Sequence, residues 1–335
     1  MARIAIVTPA GAGTRNGNRH TALRWAAFLR RAGHRVSVSV TWDGRPCDLL
    51  LALHARRSHV SIARYRRDHP GGALCVVLTG TDLYRDLPAS REARRSLEFA
   101  NRLIVLQDEA LRRLSPRLRQ KARVVYQSAA PFLRRKPPTR VFRVAIIGHL
   151  REEKDPFRAA AALERLPRDL PVELVHLGAA LAPGMEREAR RRMRQEQRYR
   201  WLGGVPHARA LGWLARSHAL VVSSRMEGGA NVVAEAARIG TPVLASRVAG
   251  NIGMLGRGYP GYFALGDERA LARLMTRAHQ DRAFYRALRR GLAARRALFS
   301  PSAERSALFG ALRGMLRSNS RTLARAGSLD QSNSP

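Results

Sequence analysis

The chain has 335 residues, with 61 Lys or Arg against 25 Asp or Glu, so its formal net charge is +36. Hydrophobic residues make up 45% and charged residues 26%, a balance that excludes a disordered or fibrous chain and points to two globular domains of about 150 residues each. No apolar run approaches the ~20 residues that span a bilayer. The start, MARIAIVTPAGAG, passes straight from a short apolar strand into a glycine loop rather than into a signal peptide, so a cytoplasmic location is expected.

The basicity is almost all arginine. Lys121, Lys136 and Lys154 are the lysines of the sequence. The arginines lie along helix-like stretches interleaved with alanine and leucine, as in the cluster Arg187 to Arg200, and arginine is a good helix former on a solvated face. No zinc-finger spacing or aromatic stacking motif accompanies them, so no nucleic-acid partner is expected. Cys47 and Cys75 have no metal-ligand spacing and read as buried packing residues.

In chain order, ARIAIVTPA predicts a first strand and TALRWAAFLRRAG a helix that closes at Gly33. RVSVSV (35–40), CDLLLAL (47–53), ALCVVLTG (73–80), RLIVLQ (102–107) and ARVVYQS (122–128) follow as strands. Near-continuous apolar strands separated by helices argue for a parallel sheet covered on both faces. PFLRRKPPTR (131–140) is rich in proline and arginine and reads as a linker. Beyond it the pattern restarts with FRVAIIGHL, VELVHLG, YRWLGG, ALVVSS and TPVLAS. The expected fold is α/β, two Rossmann-like doubly wound domains at 1–136 and 141–317 facing across a cleft, with a polar, disordered tail at 318–335. Ligands of such sheets bind at the carboxyl ends of the strands.

Two stretches carry candidate chemistry. In RMEGGANVVAEAARIG (225–240) a loop delivers the chain to a helix that stops at Gly240. The amides of Gly228, Gly229, Ala230, Asn231 and Val232, with the helix dipole, form a site for a phosphate. Glu235, about one turn into the helix, suits vicinal hydroxyls such as those of a ribose, and Glu227, before it, suits a sugar ring, because sugar hydroxyls are donors. Both acids also fit a plain preference for a helix N-terminus. The second stretch, AIIGHLREEKDP, holds Lys154, a compact ammonium suited to a diphosphate leaving group, with His149 and Arg151 as further donors. Taken alone, REEKD also reads as a solvated charge run.

The spacing Glu, seven residues, Glu in SRMEGGANVVAEAARIGTPVLAS, with IIGHLREEKD upstream, resembles the retaining GT-B glycosyltransferases of the large family 4 class, over nearly the whole chain to about residue 317. The resemblance implies a nucleotide-sugar donor bound mainly by the second domain, with no metal and no other cofactor. Lys154 falls on the family's diphosphate lysine, Glu227 on its sugar-contacting acid and Glu235 on its ribose-binding acid. His149 stands where the family usually has arginine, so Arg151 or another arginine is expected to supply the missing charge. The glycine loop after the first strand of the family approaches the donor phosphate, which here points to Gly17 and Asn18.

The pieces TPAGAGTRNGNRHTALRWA, LLLALHARRS, LTGTDLY and VVYQSA are similar to the selenosugar synthase branch of that class, from selenoneine biosynthesis. This likeness implies transfer of a sugar, N-acetylglucosamine by preference, from a UDP-sugar to selenophosphate, with UDP and phosphate released. The histidine usual at the end of the fourth strand is replaced by Thr79, Gly80, Thr81 and Asp82. Selenophosphate arrives as an anion with a polarisable nucleophilic atom, so its site has chiefly to hold and orient charge. Arg19, His20, His54, Arg56 and Arg57, with the Thr79 to Asp82 turn, are the candidates for that pocket. Two other readings stay open: transfer to a sugar or lipid hydroxyl, for which the arginine-rich surface would be a membrane contact, and a basic nucleic-acid-binding protein on a GT-B scaffold. Oligomeric state and anomeric stereochemistry are not legible.

Overall fold

The computed structural model describes residues 1–11 and 17–316. Asn16 of the expected glycine loop, and the tail expected to be disordered at 318–335, lie outside the described residues. The chain divides into two compact units, one formed by Met1–Tyr126 with the segment from Glu304 onward, the other by Gln127–Ala303.

The first unit is built on a parallel sheet of β1 (Arg3–Val7), β2 (Arg35–Ser39), β3 (Leu49–Leu53), β4 (Ala73–Leu78), β5 (Arg102–Val105) and β6 (Ala122–Val124). The strands lie in the order β2-β1-β3-β4-β5-β6. In register, Ile4 pairs with Val36 on one side and Leu49 on the other. β3 and β4 are buried along their whole length, as unbroken apolar runs covered on both faces require. Trp25 and Leu29 of the helix Gly17–Arg31 cover one face. Ile62 and Tyr65 of the helix His59–Asp68, with Leu97, cover the other. The helix Gly17–Arg31 ends as expected, with arginines in its last turn and Gly33 at φ 85°.

The C-terminal boundary differs from expectation. Leu308, Ala311 and Leu312 of the last helix, Pro301–Leu312, pack in the core of the first unit with Ile4, Trp25 and Leu29. Glu304, fully buried, accepts Arg24 Nε at 2.7 Å and Trp25 Nε1 at 2.7 Å. Amphipathic spacing announces that such a helix buries one face but not which sheet receives it. The expected linker is also displaced. The Arg135 amide donates to the Ala215 carbonyl at 3.1 Å and the Arg134 guanidinium to the Thr241 hydroxyl, so this segment is stitched onto the second unit.

The second unit contains β7 (Phe142–Ile147), β8 (Val172–Leu177), β9 (Tyr199–Trp201), β10 (Ala219–Val222), β11 (Val243–Ser246) and β12 (Tyr262–Phe263). Their order is β12-β11-β10-β7-β8-β9, all parallel. β12, two residues long, is too short to show a period and is absent from the expected strands. β7 is followed in sequence by β8 on one side of it, while β10 lies on the other. The connections therefore diverge at β7 and β10 and leave a crevice at their carboxyl ends, the switch point where open α/β sheets bind ligands. Among the described residues no helix is long and apolar enough to cross a membrane.

Candidate active site

The loops after β7 and β10 meet at that switch point. After β7 come Gly148, His149 and Leu150, then exposed Arg151 and a 3-10 turn at Glu152–Lys154. Asp155 ends the turn in the left-handed region at φ 43°. Ser223 at the end of β10 donates its hydroxyl to the carbonyls of Lys154 (3.1 Å) and Asp155 (2.9 Å), and the Arg225 amide donates to the Glu153 carbonyl at 2.9 Å. These bonds hold the turn so that Lys154 Nζ reaches Glu227 Oε1 at 2.5 Å. Glu227 is buried, and the same oxygen accepts the Ser224 hydroxyl at 2.5 Å. His149, Lys154, Ser224, Glu227 and Val232 line one small pocket. His149 Nδ1 accepts the Ala179 amide at 3.0 Å, which puts the proton of the neutral ring on Nε2 and makes that nitrogen a donor.

Gly228 and Gly229 lead to Ala230, which caps the helix Asn231–Ile239; the helix closes at Gly240, φ 89°. The Val233 and Ala234 amides donate to the Ala230 carbonyl at 2.9 and 3.3 Å, and the amides ahead of them stand at the positive end of the helix dipole. Glu235 sits in the second turn with Oε1 2.8 Å from His207 Nε2. That hydrogen bond, ahead of the burial that opposes it, raises the His207 pKa above its ordinary value. Lys154 and Glu227 are thus brought together, and Glu235 stands on the following helix with a partner of its own. Among the described residues no three His, Cys, Asp or Glu are grouped to hold a metal ion.

In the first unit, the loops after the adjacent strands β1, β3 and β4 leave the same sheet end. The β1 connection delivers Gly17, Asn18, Arg19 and His20 on the first turn of the helix Gly17–Arg31. His54 follows β3 at φ 72° and is buried, a backbone state uncommon outside glycine and costly unless its surroundings enforce it. Its Nδ1 accepts the Arg57 amide at 3.3 Å and its Nε2 lies 3.1 Å from Thr81 Oγ1. Burial lowers its pKa, against the pull of Asp82. Arg56 is exposed and donates to buried Asp86 at 3.2 Å; Arg57 is exposed.

Asp82, expected in the acceptor pocket, has another job. One of its oxygens accepts the amides of Thr79 (2.8 Å), Gly80 (2.8 Å) and Leu83 (3.1 Å), and the other accepts that of Ala55 (3.0 Å). Fully buried, it staples the β3 and β4 loops together rather than offering an oxygen to a substrate. Ser223, Ser224 and Gly250 were not singled out in the sequence. The paired serines ending the apolar run ALVVSS were the available signal for the first two. Tyr199 is a core residue, 1% exposed.

Two parallel-sheet Rossmann-like units of this kind are the GT-B architecture. Residues 115–281 match the family model described as glycosyl transferases group 1. The glycogen synthase of Mycobacterium tuberculosis is 33% identical over 121 residues, 36% of this chain and 29% of that protein; the match therefore spans less than a third of that relative. Among solved structures, Anabaena HepE in complex with UDP-glucose superposes with a TM-score of 0.73 at 16% identity, covering 97% of this chain and 100% of the other. The sucrose-phosphate synthase of Thermosynechococcus elongatus does so with a TM-score of 0.73 at 17% identity, again over 97% and 100%.

Proposed function

We propose that the chain is a glycosyltransferase that takes its sugar from a UDP-sugar held at the β7/β10 switch point of the second unit. The observation that carries this reading is the convergence of Lys154 and Glu227, from loops of neighbouring strands, beside the N-terminus of the helix Asn231–Ile239. The group 1 match and the UDP-glucose complex of a structural neighbour support the donor class. In this reading the diphosphate lies on the first-turn amides, with Lys154, Arg151 and the Nε2–H of His149 as donors. Glu227 accepts from sugar hydroxyls and Glu235 from the ribose. As the anomeric C–O bond breaks, its electron pair goes to the diphosphate oxygen, where Lys154 stabilises the charge without a metal.

For the acceptor we propose selenophosphate, with N-acetylglucosamine as the transferred sugar. Asp82 is spent on backbone amides and His54 is buried, so among the described residues these two, at the ends of β4 and β3, present no exposed base. Such a site suits a nucleophile that arrives ionised, with Arg19, His20, Arg56 and Arg57 and the hydroxyls of Thr79 and Thr81 to hold its charge. Selenium bonds to the anomeric carbon, UDP leaves, and water then takes the phosphoryl group from selenium to give phosphate. Purified protein with UDP-N-acetylglucosamine is expected to release UDP on addition of selenophosphate, unaffected by chelator, and mass spectrometry is expected to find a selenium-linked sugar. Turnover only with a hydroxyl acceptor would overturn the acceptor assignment and leave the donor site intact.

A further inference from the structure

His176, on β8, is fully buried and takes no part in the reaction described above. It is nevertheless fully engaged. Nδ1 lies 3.0 Å from the Tyr199 hydroxyl and Nε2 lies 3.2 Å from the Gly148 carbonyl. A carbonyl can only accept, so Nε2 carries the proton, and the hydroxyl of Tyr199 must then donate to Nδ1. Burial pulls the His176 pKa down to about 4 and pushes that of Tyr199 up. The ring is therefore neutral and locked in one tautomer by a partner on each side.

The Gly148 carbonyl is where the β7 loop departs, one residue before His149. Around it, the Gly148 amide donates to the Leu177 carbonyl at 2.9 Å and the Leu150 amide to that of Ala179 at 2.9 Å. The Ala179 amide in turn fixes His149 Nδ1. Trp201 Nε1 holds the Gly178 carbonyl at 2.8 Å. The approach is close: a Cβ on Gly178 would sit 1.9 Å from the Gly148 oxygen. A leucine in an apolar strand would fill the volume of His176 with no polar group to satisfy. The buried imidazole makes sense as a device that specifies where the Gly148–His149 loop sits.

We infer that His176, oriented by Tyr199, is a positioning residue for the donor diphosphate, setting the Gly148–His149 loop so that the His149 ring presents its Nε2–H to the nucleotide. This rests on the proposed binding of a UDP-sugar by the second unit. The test compares UDP affinity by calorimetry at 10 °C for wild type, His176→Leu, His176→Gln and Tyr199→Phe, with circular dichroism confirming that each is folded. Loss of one buried hydrogen bond predicts about threefold to tenfold weaker UDP binding for His176→Leu and Tyr199→Phe. His176→Gln retains a donor near the Nε2 position and is expected to recover most of that loss.

Histidine ¹⁵N NMR supplies a readout that packing alone would not move: His149 is expected as the Nε2–H tautomer in wild type and as a mixture in Tyr199→Phe. Should His176→Leu not fold, Tyr199→Phe against wild type carries the comparison. Wild type that binds UDP alongside a Tyr199→Phe variant of equal affinity and unchanged His149 tautomer would overturn the inference and leave the donor site standing. Equal losses in His176→Leu and His176→Gln would also overturn it, because they would mark a packing role. Wild type that fails to bind UDP would overturn the donor reading itself, and this inference with it.

Discussion

Lys154 Nζ and Glu227 Oε1, 73 residues apart in sequence, lie 2.5 Å from each other, and Ser224 donates to the same oxygen. Two side chains with separate expected partners, a diphosphate and a sugar, are thus each other's partner. A buried carboxylate needs such a counter-charge, and the diphosphate proposed to bind here would compete for the same ammonium. Lys154→Ala is expected to lower kcat/KM by about 10²- to 10³-fold and to lower the melting temperature, since Glu227 loses its counter-charge and keeps the Ser224 hydroxyl. Lys154→Arg is not expected to rescue, because a planar fork does not replace a point charge. Steady-state UDP release and thermal unfolding check both; unchanged turnover would remove Lys154 from the site.

Gly250 defines the seat of Glu227. A Cβ there would lie 2.0 Å from the Glu227 carbonyl oxygen and 2.7 Å from its Cβ, both of which would have to shift. Gly250→Ala is expected to destabilise by about 1–3 kcal/mol and, by displacing Glu227 on the order of 1 Å, to cost about 10²-fold in kcat. A variant with wild-type kinetics would show that the position of Glu227 is not critical.

The Glu235–His207 pair predicts a pH dependence of nucleotide binding. The raised pKa of His207 means that the charged pair is complete below the ordinary histidine value and is lost as pH rises through the higher folded value. With the ribose on Glu235 as proposed, protonated His207 would compete with it, so UDP-glucose affinity is expected to strengthen about twofold to fivefold from pH 6 to pH 8.5. His207→Ala is expected to flatten the profile. Calorimetry across that range decides, and a wild-type profile as flat as that of the variant would contradict the competition.

Glu304 fastens the last helix to the first unit through Arg24 and Trp25. Glu304→Ala leaves the Trp25 N–H and the Arg24 guanidinium without their acceptor and is expected to cost about 3–5 kcal/mol of stability. Denaturant unfolding followed by tryptophan fluorescence measures it. A loss under 1 kcal/mol would mean that Leu308, Ala311 and Leu312 hold the helix unaided.

Much of this was legible in the chain because its strands are short apolar runs between helices, and runs such as LLLAL and ALVV declare themselves. The glycine-bounded helix after β10, with Glu235 in it and Glu227 ahead of it, was likewise readable from spacing. What the sequence withheld were pairings between distant residues. Nothing local ties Lys154 to Glu227 or His207 to Glu235. Asp82 reads as a possible ligand until four backbone amides are found on it. His176 had a signal, a lone histidine inside VELVHL, but its partners Tyr199 and Gly148 come from neighbouring strands.

The most direct test of the donor site is a crystal structure of the protein with UDP. The nucleotide is predicted to place its diphosphate within hydrogen-bonding distance of Lys154 Nζ and the first-turn amides of the helix Asn231–Ile239, with its ribose on Glu235. UDP bound elsewhere, with the Lys154–Glu227 contact undisturbed, would contradict the account.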